Sequence, residues 1–131
     1  MSGSPKRIVV PGLGRLPVFS HASFAGGLIF VSGTLGTLPG QMKLAPGGTG
    51  PETAQTLANI AVILEAAGAS LRDVVKVSVY LNDMADFASM NEAYAAVFPE
   101  DPPARITVGG AQLALGARVE IECVAQVPGA T

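Results

Sequence analysis

The chain has 131 residues, 49% of them hydrophobic and 14% charged, with a net charge of −2, one cysteine, one histidine and no tryptophan. That is one domain of common size, residues 1–131, with no basic footprint for nucleic acid, no internal disulfide and no set of residues for a Cys/His zinc site. No apolar run approaches the ~20 residues of a membrane span, and MSGSPKRIVVPG lacks the apolar core of a signal peptide, so a soluble cytoplasmic protein is expected.

Lys6–Val10, closed by Pro11-Gly12, reads as an edge strand. A loop, Pro11–Pro17, leads through Phe19 and His21 to a second run at Ala22–Ala25. His21 is the only histidine and reads as a loop residue near Phe19. Gly26-Gly27 has the composition of a two-residue hairpin turn. Leu28–Ser32 is a continuous apolar run, the pattern of a strand covered on both faces. Gly33–Gly50 carries six glycines and two prolines and reads as a mobile loop, with a lid or pocket rim as the functional alternative. It is not a phosphate-binding loop, because no Gly-Lys-Ser/Thr follows.

Pro51 suits the first position of a helix and Glu52 its first turn; Gly68 ends it. Ala54, Leu57, Ala58, Ile60, Ala61, Ile63 and Leu64 form its apolar face, with Gln55 and Asn59 as a solvated flank. After a turn at Ser70–Asp73, Val74–Leu81 is the clearest strand. Val75, Val77, Val79 and Leu81 share one of its faces; Lys76, Ser78 and Tyr80 share the other. Asn82-Asp83 caps a second helix that runs to about Phe98, where Pro99 stops it. Met84, Phe87, Met90, Tyr94 and Val97 mark its buried stripe, with Asn91 beside it.

Pro102–Gln126 holds the candidate chemistry, in two β-runs joined by a Gly/Ala-rich connection. Arg105 and Thr107 share a face of the first run. In the second, Arg118, Glu120 and Glu122 share one face, and Val119, Ile121, Cys123 and Ala125 form a core face. If the two strands are neighbours, a guanidinium and a carboxylate can address one small space; the alternative is a solvated face with a surface ion pair. Cys123 reads as a buried small hydrophobe. The order β-β-β, helix, β, helix, β-β describes a two-layer α+β domain, with two helices on one face of a mixed sheet. The other sheet face is poor in charge, so self-association is expected.

The sequence PAR, a polar gap, a Leu and then VEIE-x-x-A resembles the C-terminal signature of the RidA (YjgF/UK114) family of enamine/imine deaminases. Phe30–Gly33 (FVSG), Gln55–Asn59 with the ILEAAGAS that follows, Asp73–Leu81 (DVVKVSVYL) and Asp83–Phe98 (DMADFASMNEAYAAVF) resemble the other blocks of that family, in order, over roughly residues 17–126. The resemblance implies a chorismate-mutase-like fold assembled as a homotrimer with sheets inside, helices outside and a pocket in each subunit cleft. It implies that Arg105 clamps the carboxylate of a 2-imino acid, that Glu120 holds the attacking water, and that Phe19, Ser32, Gly33, Asn91 and Thr107 line the pocket. The product would be a 2-keto acid, and neither metal nor organic cofactor is implied, since an imine is already electrophilic. Three residues depart from the family pattern: Phe19 for a tyrosine, Thr107 for a cysteine, and Ala114 for the proline of a Leu-Pro pair. The resemblance also leaves open a pathway-specific enamine of the aminomuconate type as substrate, or a non-catalytic metabolite-binding trimer. The endoribonuclease activity attributed to some relatives is disfavoured by a pI near 5.2 and the lack of basic clusters.

Overall fold

A computed structural model describes residues 6–129. The elements follow the predicted order: β1 (Arg7–Ile8), β2 (Ala22–Ala25), β3 (Leu28–Thr34), α1 (Thr49–Ala66), β4 (Val74–Leu81), α2 (Phe87–Val97), β5 (Ala104–Val108) and β6 (Val119–Gln126). The strands form one sheet in the order β1-β2-β3-β6-β4-β5. All neighbours are antiparallel except β4 and β5, which run parallel because α2 returns the chain between them. The last strand is therefore a central one, and β5 is an edge.

Alternation along the strands builds the core. Val119, Ile121, Cys123 and Ala125 on β6 point the same way as Val77, Val79 and Leu81 on β4 and Ile29 and Val31 on β3. They meet Leu57, Ile60, Ile63 and Leu64 of α1 and Met90 and Tyr94 of α2 in one cluster, so both helices cover the same sheet face. Gly26 and Gly27 take φ of 58° and 81°, the two left-handed positions of the tight turn between β2 and β3.

Local geometry differs from strict periodicity in several places. Val75 is exposed, because a bulge in β4 leaves it as the extra residue between the pairs Val74–Ala125 and Lys76–Val124. Leu28–Ser32 is covered on one face only within the chain, and Phe30 remains 42% exposed. α1 starts two residues before Pro51, whose missing N–H falls in the first turn, where no intrahelical partner exists. The inward stripe of its first half is polar, comprising Thr49, Glu52, Thr53, Thr56 and Asn59, while Ala54 and Ala58 face out. On α2, Phe87 is exposed, as is Met84 in the turn before it. The segment read as a mobile loop is stitched down. Asn59 is buried rather than solvated, and its Nδ2 donates to the carbonyls of Leu35 at 3.0 Å and Thr37 at 2.9 Å. Further bonds run from Leu38 N to Lys43 O, Gly40 N to Gly12 O and Ala45 N to Gly36 O.

Candidate active site

Glu120 lies on the face of β6 opposite the helices, in register with Tyr80 of β4. A bulge in β3 sets Ser32 and Gly33 between the pairs Val31–Cys123 and Thr34–Ile121. Bulges re-aim side chains, and here Ser32, Gly33 and Glu120 line the same cavity of about 460 Å³, together with Phe19. The carboxylate of Glu120 packs on the bare Cα of Gly33, where a methyl group would overlap Oε2. Burial raises the pKa of Glu120 above the ordinary glutamate value, and the charge of Glu122 adds to the shift. A half-buried carboxylate with raised basicity, facing a cavity, is suited to take a proton from water.

Most other polar groups around the cavity are already engaged. Ser32 Oγ donates to Ser20 O at 2.6 Å. His21 is buried: its Nδ1 accepts the Val10 N–H at 2.9 Å, so Nε2 carries the proton and donates to Gly14 O at 3.2 Å. It acts as a clasp for the loop after β1. Arg15 Nη1 donates to the carbonyls of Leu16 and Phe19.

Arg105 stands elsewhere. It is in register with Val77 of β4, and Thr107 with Val79, so both lie on the helix side of the edge strand. The strands of Arg105 and Glu120 are not neighbours, since β4 runs between them. The guanidinium carbon of Arg105 lies 4.7 Å from the ring centroid of Tyr94 and 5.8 Å from that of Phe87. Its Nη1 comes within 3.8 Å of Met90 Sδ, and among the described residues no carboxylate reaches it. The aromatic rings hold the guanidinium over their faces, with Nη1 alone bonded among the described residues, to Met90 Sδ. Two residues along, Thr107 Oγ1 is buried without a partner among the described residues. Asn91 is half-buried on α2, on the helical face that also carries Phe87 and Tyr94. The predicted residues thus fall into two groups: Phe19, Ser32, Gly33 and Glu120 at the cavity, and Asn91, Arg105 and Thr107 along the β5 edge.

The remaining candidates are structural. Glu122 accepts from Tyr80 Oη at 2.9 Å, and this bond is the main reason the tyrosine pKa is raised. Arg118, predicted on the face of Glu120, precedes β6, and its exposed guanidinium reaches the half-buried Asp86 at 3.7 Å. Cys123 is buried, and desolvation pushes its thiol up to about 12, with the Glu122 charge secondary, so it is no nucleophile at neutral pH. Among the described residues no cluster of His, Cys, Asp or Glu could hold a metal ion. Periodicity did not reveal Leu16, Leu35, Met42 and Leu115, which also line the cavity. They sit on loops, and only the i, i+4 spacing of Gln55 and Asn59 hinted at the anchor that holds one of those loops in place.

The sequence model for a family described as endoribonuclease L-PSP matches residues 14–127. A RutC family protein of Pyrococcus horikoshii is 46% identical over 107 residues, covering 82% of this chain and 85% of that protein. A cattle protein named 2-iminobutanoate/2-iminopropanoate deaminase is 42% identical, covering 82% of this chain and 78% of that protein. The crystal structure of RidA from an Antarctic Psychrobacter bacterium superimposes with a TM-score of 0.87 at 38% identity, covering 93% of this chain and 99% of that one. With its sheet order, its VEIE strand and its PAR edge in place, this chain belongs to the endoribonuclease L-PSP family, the RidA/YjgF proteins.

Proposed function

We propose that this protein is a deaminase that hydrolyses small reactive 2-imino or enamine acids to 2-keto acids and ammonia, in pockets formed between the chains of a homotrimer. Arg105 grips the substrate carboxylate with two parallel N–H donors. Thr107 and Asn91 complete that side. Glu120 takes a proton from water as the oxygen attacks the C=N carbon and passes it to nitrogen, giving the carbinolamine; the same carboxylate then moves the hydroxyl proton to nitrogen as the C–N bond breaks, releasing the keto acid and ammonia. Ser32 and Gly33 hold the other side, with Phe19 as an apolar wall. Imines of this kind hydrolyse unaided, so positioning and a single carboxylate that relays protons from water to nitrogen suffice.

The observation that carries the reading is the pairing of two incomplete half-sites. Arg105 is an aromatic-stacked guanidinium with no carboxylate among the described residues, beside the orphan hydroxyl of Thr107, on the sheet face away from Glu120. A second copy that brought its β5 edge to the cavity would unite them. Exposed Leu28, Phe30, Val75, Ile106 and Val108 give the sheet an apolar surface for such a contact. Relatives named as 2-iminobutanoate/2-iminopropanoate deaminases, 41–42% identical, support the chemistry. A net charge of −2 gives no support to RNA as substrate. The test is a panel of imines generated in situ by an amino-acid oxidase, with loss of imine followed with and without the protein. Faster loss is expected; an unchanged rate across the panel overturns catalysis and leaves metabolite binding.

A further inference from the structure

Glu52 stands in the first turn of α1 and is only 4% exposed. A glutamate is almost never buried that far without a partner. Its Oε1 accepts the backbone N–H of Arg118 at 2.7 Å, across 66 residues of sequence. The positive end of the helix dipole favours a carboxylate at this position. The bond falls where the sheet is least supported. The pairing of β3 with β6 starts at Leu28–Gln126 and ends at Thr34–Ile121. Ahead of Ile121, β6 is held in the sheet by β4 alone, through the pairs Tyr80–Glu120 and Leu81–Val119 and the Asn82 N–H on Arg118 O. The Glu52 carboxylate supplies this stretch with one further, charge-assisted bond.

The same turn of α1 also holds the loop that follows β3. Gly36 packs on the carbonyl of Glu52, where a methyl group would overlap the oxygen. That carbonyl accepts the Thr56 hydroxyl at 2.7 Å. Two turns along, Asn59 bonds the carbonyls of Leu35 and Thr37. One helix therefore ties down two segments, the loop just past Ser32 and Gly33 and the backbone just before Glu120.

We propose that Glu52 is a positioning residue for the reaction, holding the first residues of β6 against α1 so that the Glu120 carboxylate keeps its seat on Gly33. This rests on the deaminase reading. α1 covers the sheet face opposite Glu120, so Glu52 meets no substrate and acts through the backbone of residues 118–120. With the bond gone, the start of β6 is free to move relative to Gly33. A displacement of about 1 Å in a catalytic group can cost about 10²-fold in rate.

The test compares wild type with Glu52→Met, of similar length and without the acceptor, and Glu52→Gln, which keeps a carbonyl acceptor. Each is assayed on a 2-imino acid at a temperature where its circular dichroism shows it folded. Glu52→Met should lower kcat about tenfold or more, with KM within about threefold because the Arg105 side is untouched. Glu52→Gln should recover most of kcat. In parallel, carbon-13 NMR follows the titration of the Glu120 carboxyl. Its midpoint should lie above the ordinary glutamate range in wild type and Glu52→Gln, and fall in Glu52→Met as the carboxylate leaves its buried seat. Wild-type kcat in Glu52→Met, a loss in KM alone, or Glu52→Gln as slow as Glu52→Met overturns the proposal. If Glu52→Met does not fold, Glu52→Asp replaces it. Aspartate keeps the charge but is one methylene short of Arg118, and the same losses are expected. If wild type consumes no imine, the deaminase reading fails, and positioning is read from the titration alone. A Glu120 midpoint unmoved in Glu52→Met then overturns the proposal.

Discussion

Arg105 and Glu120 stand on opposite faces of one sheet, with β4 between their strands. Arg105 shares its side with Val77 and the helices; Glu120 shares its side with Tyr80 and the open face. No rotamer change within one chain carries a guanidinium through a sheet. On the proposed function, the two half-sites meet only where two copies of the chain contribute to each pocket.

Arg105→Lys should cost nearly as much activity as Arg105→Ala. Lysine keeps the charge but loses the planar fork, and its compact ammonium stacks less well on Tyr94 and Phe87. A loss on the order of 2 kcal/mol in apparent transition-state stabilisation is expected for either change. Steady-state kinetics on a 2-imino acid measures it, and near wild-type kcat/KM in the lysine variant would remove the carboxylate clamp.

Gly33→Ala should keep the fold and damage catalysis. The added methyl would meet the carboxylate end of Glu120, which can swing aside, and its three nearest atoms all belong to that side chain. An unchanged far-ultraviolet spectrum with kcat reduced about tenfold or more, part of what a positioned base contributes, is the expected result. Full activity would mean that the packing of Glu120 on Gly33 has no part in the reaction.

The two glutamates separate by pH. Burial first, and the Glu122 charge second, raise the Glu120 pKa. The folded state therefore holds this proton more tightly than the unfolded chain. The linked stability is full below the ordinary glutamate value and is lost as pH rises through the folded value. Activity runs the other way, because the base must be charged, so the acid limb of kcat/KM should lie above the ordinary glutamate range. Glu120→Gln should slow deamination by roughly 10²-fold or more. Glu122→Gln should retain turnover and move the acid limb down. A pH–rate profile of all three proteins checks this, and an acid limb unmoved in Glu122→Gln would disconnect it from Glu120.

Cys123→Ala should turn over normally and lose roughly 1 kcal/mol of stability, as small core truncations do. The thiol is buried among β6 and its neighbours and pushed up to about 12. Urea unfolding beside an activity assay measures both, and loss of turnover in a folded variant would contradict the core assignment.

Much of the fold was legible because period-2 and period-3.6 patterns are local. β2 and β4 have the bounds the pattern predicts, and Gly26-Gly27 forms the expected hairpin turn. Bulges were not legible: Val75 continues an unbroken alternation in sequence, and only the pairing with β6 makes it the extra residue. Asn59 looked like a solvated flank because the carbonyls that satisfy it lie 22 and 24 residues away in the chain. The candidate site was legible in residue type but not in arrangement. Parity put Arg105 with Thr107, and the PAR and VEIE blocks marked Arg105 and Glu120. Whether the two could meet depended on β4 separating their strands, a long-range pairing that no short pattern encodes.

Mixing two impaired variants tests the shared pocket. Arg105→Ala retains Glu120, and Glu120→Gln retains Arg105. Each alone should keep no more than about a few per cent of wild-type activity and form trimers of about three chain masses by light scattering. Co-refolded in equal amounts, with random assembly around a ring, about one pocket in four should receive an intact arginine from one chain and an intact glutamate from its neighbour. Recovery of about a quarter of wild-type activity on a 2-imino acid is the predicted result. A mixture as inactive as its parents, in trimers shown by mass to contain both variants, would contradict a pocket built by two chains.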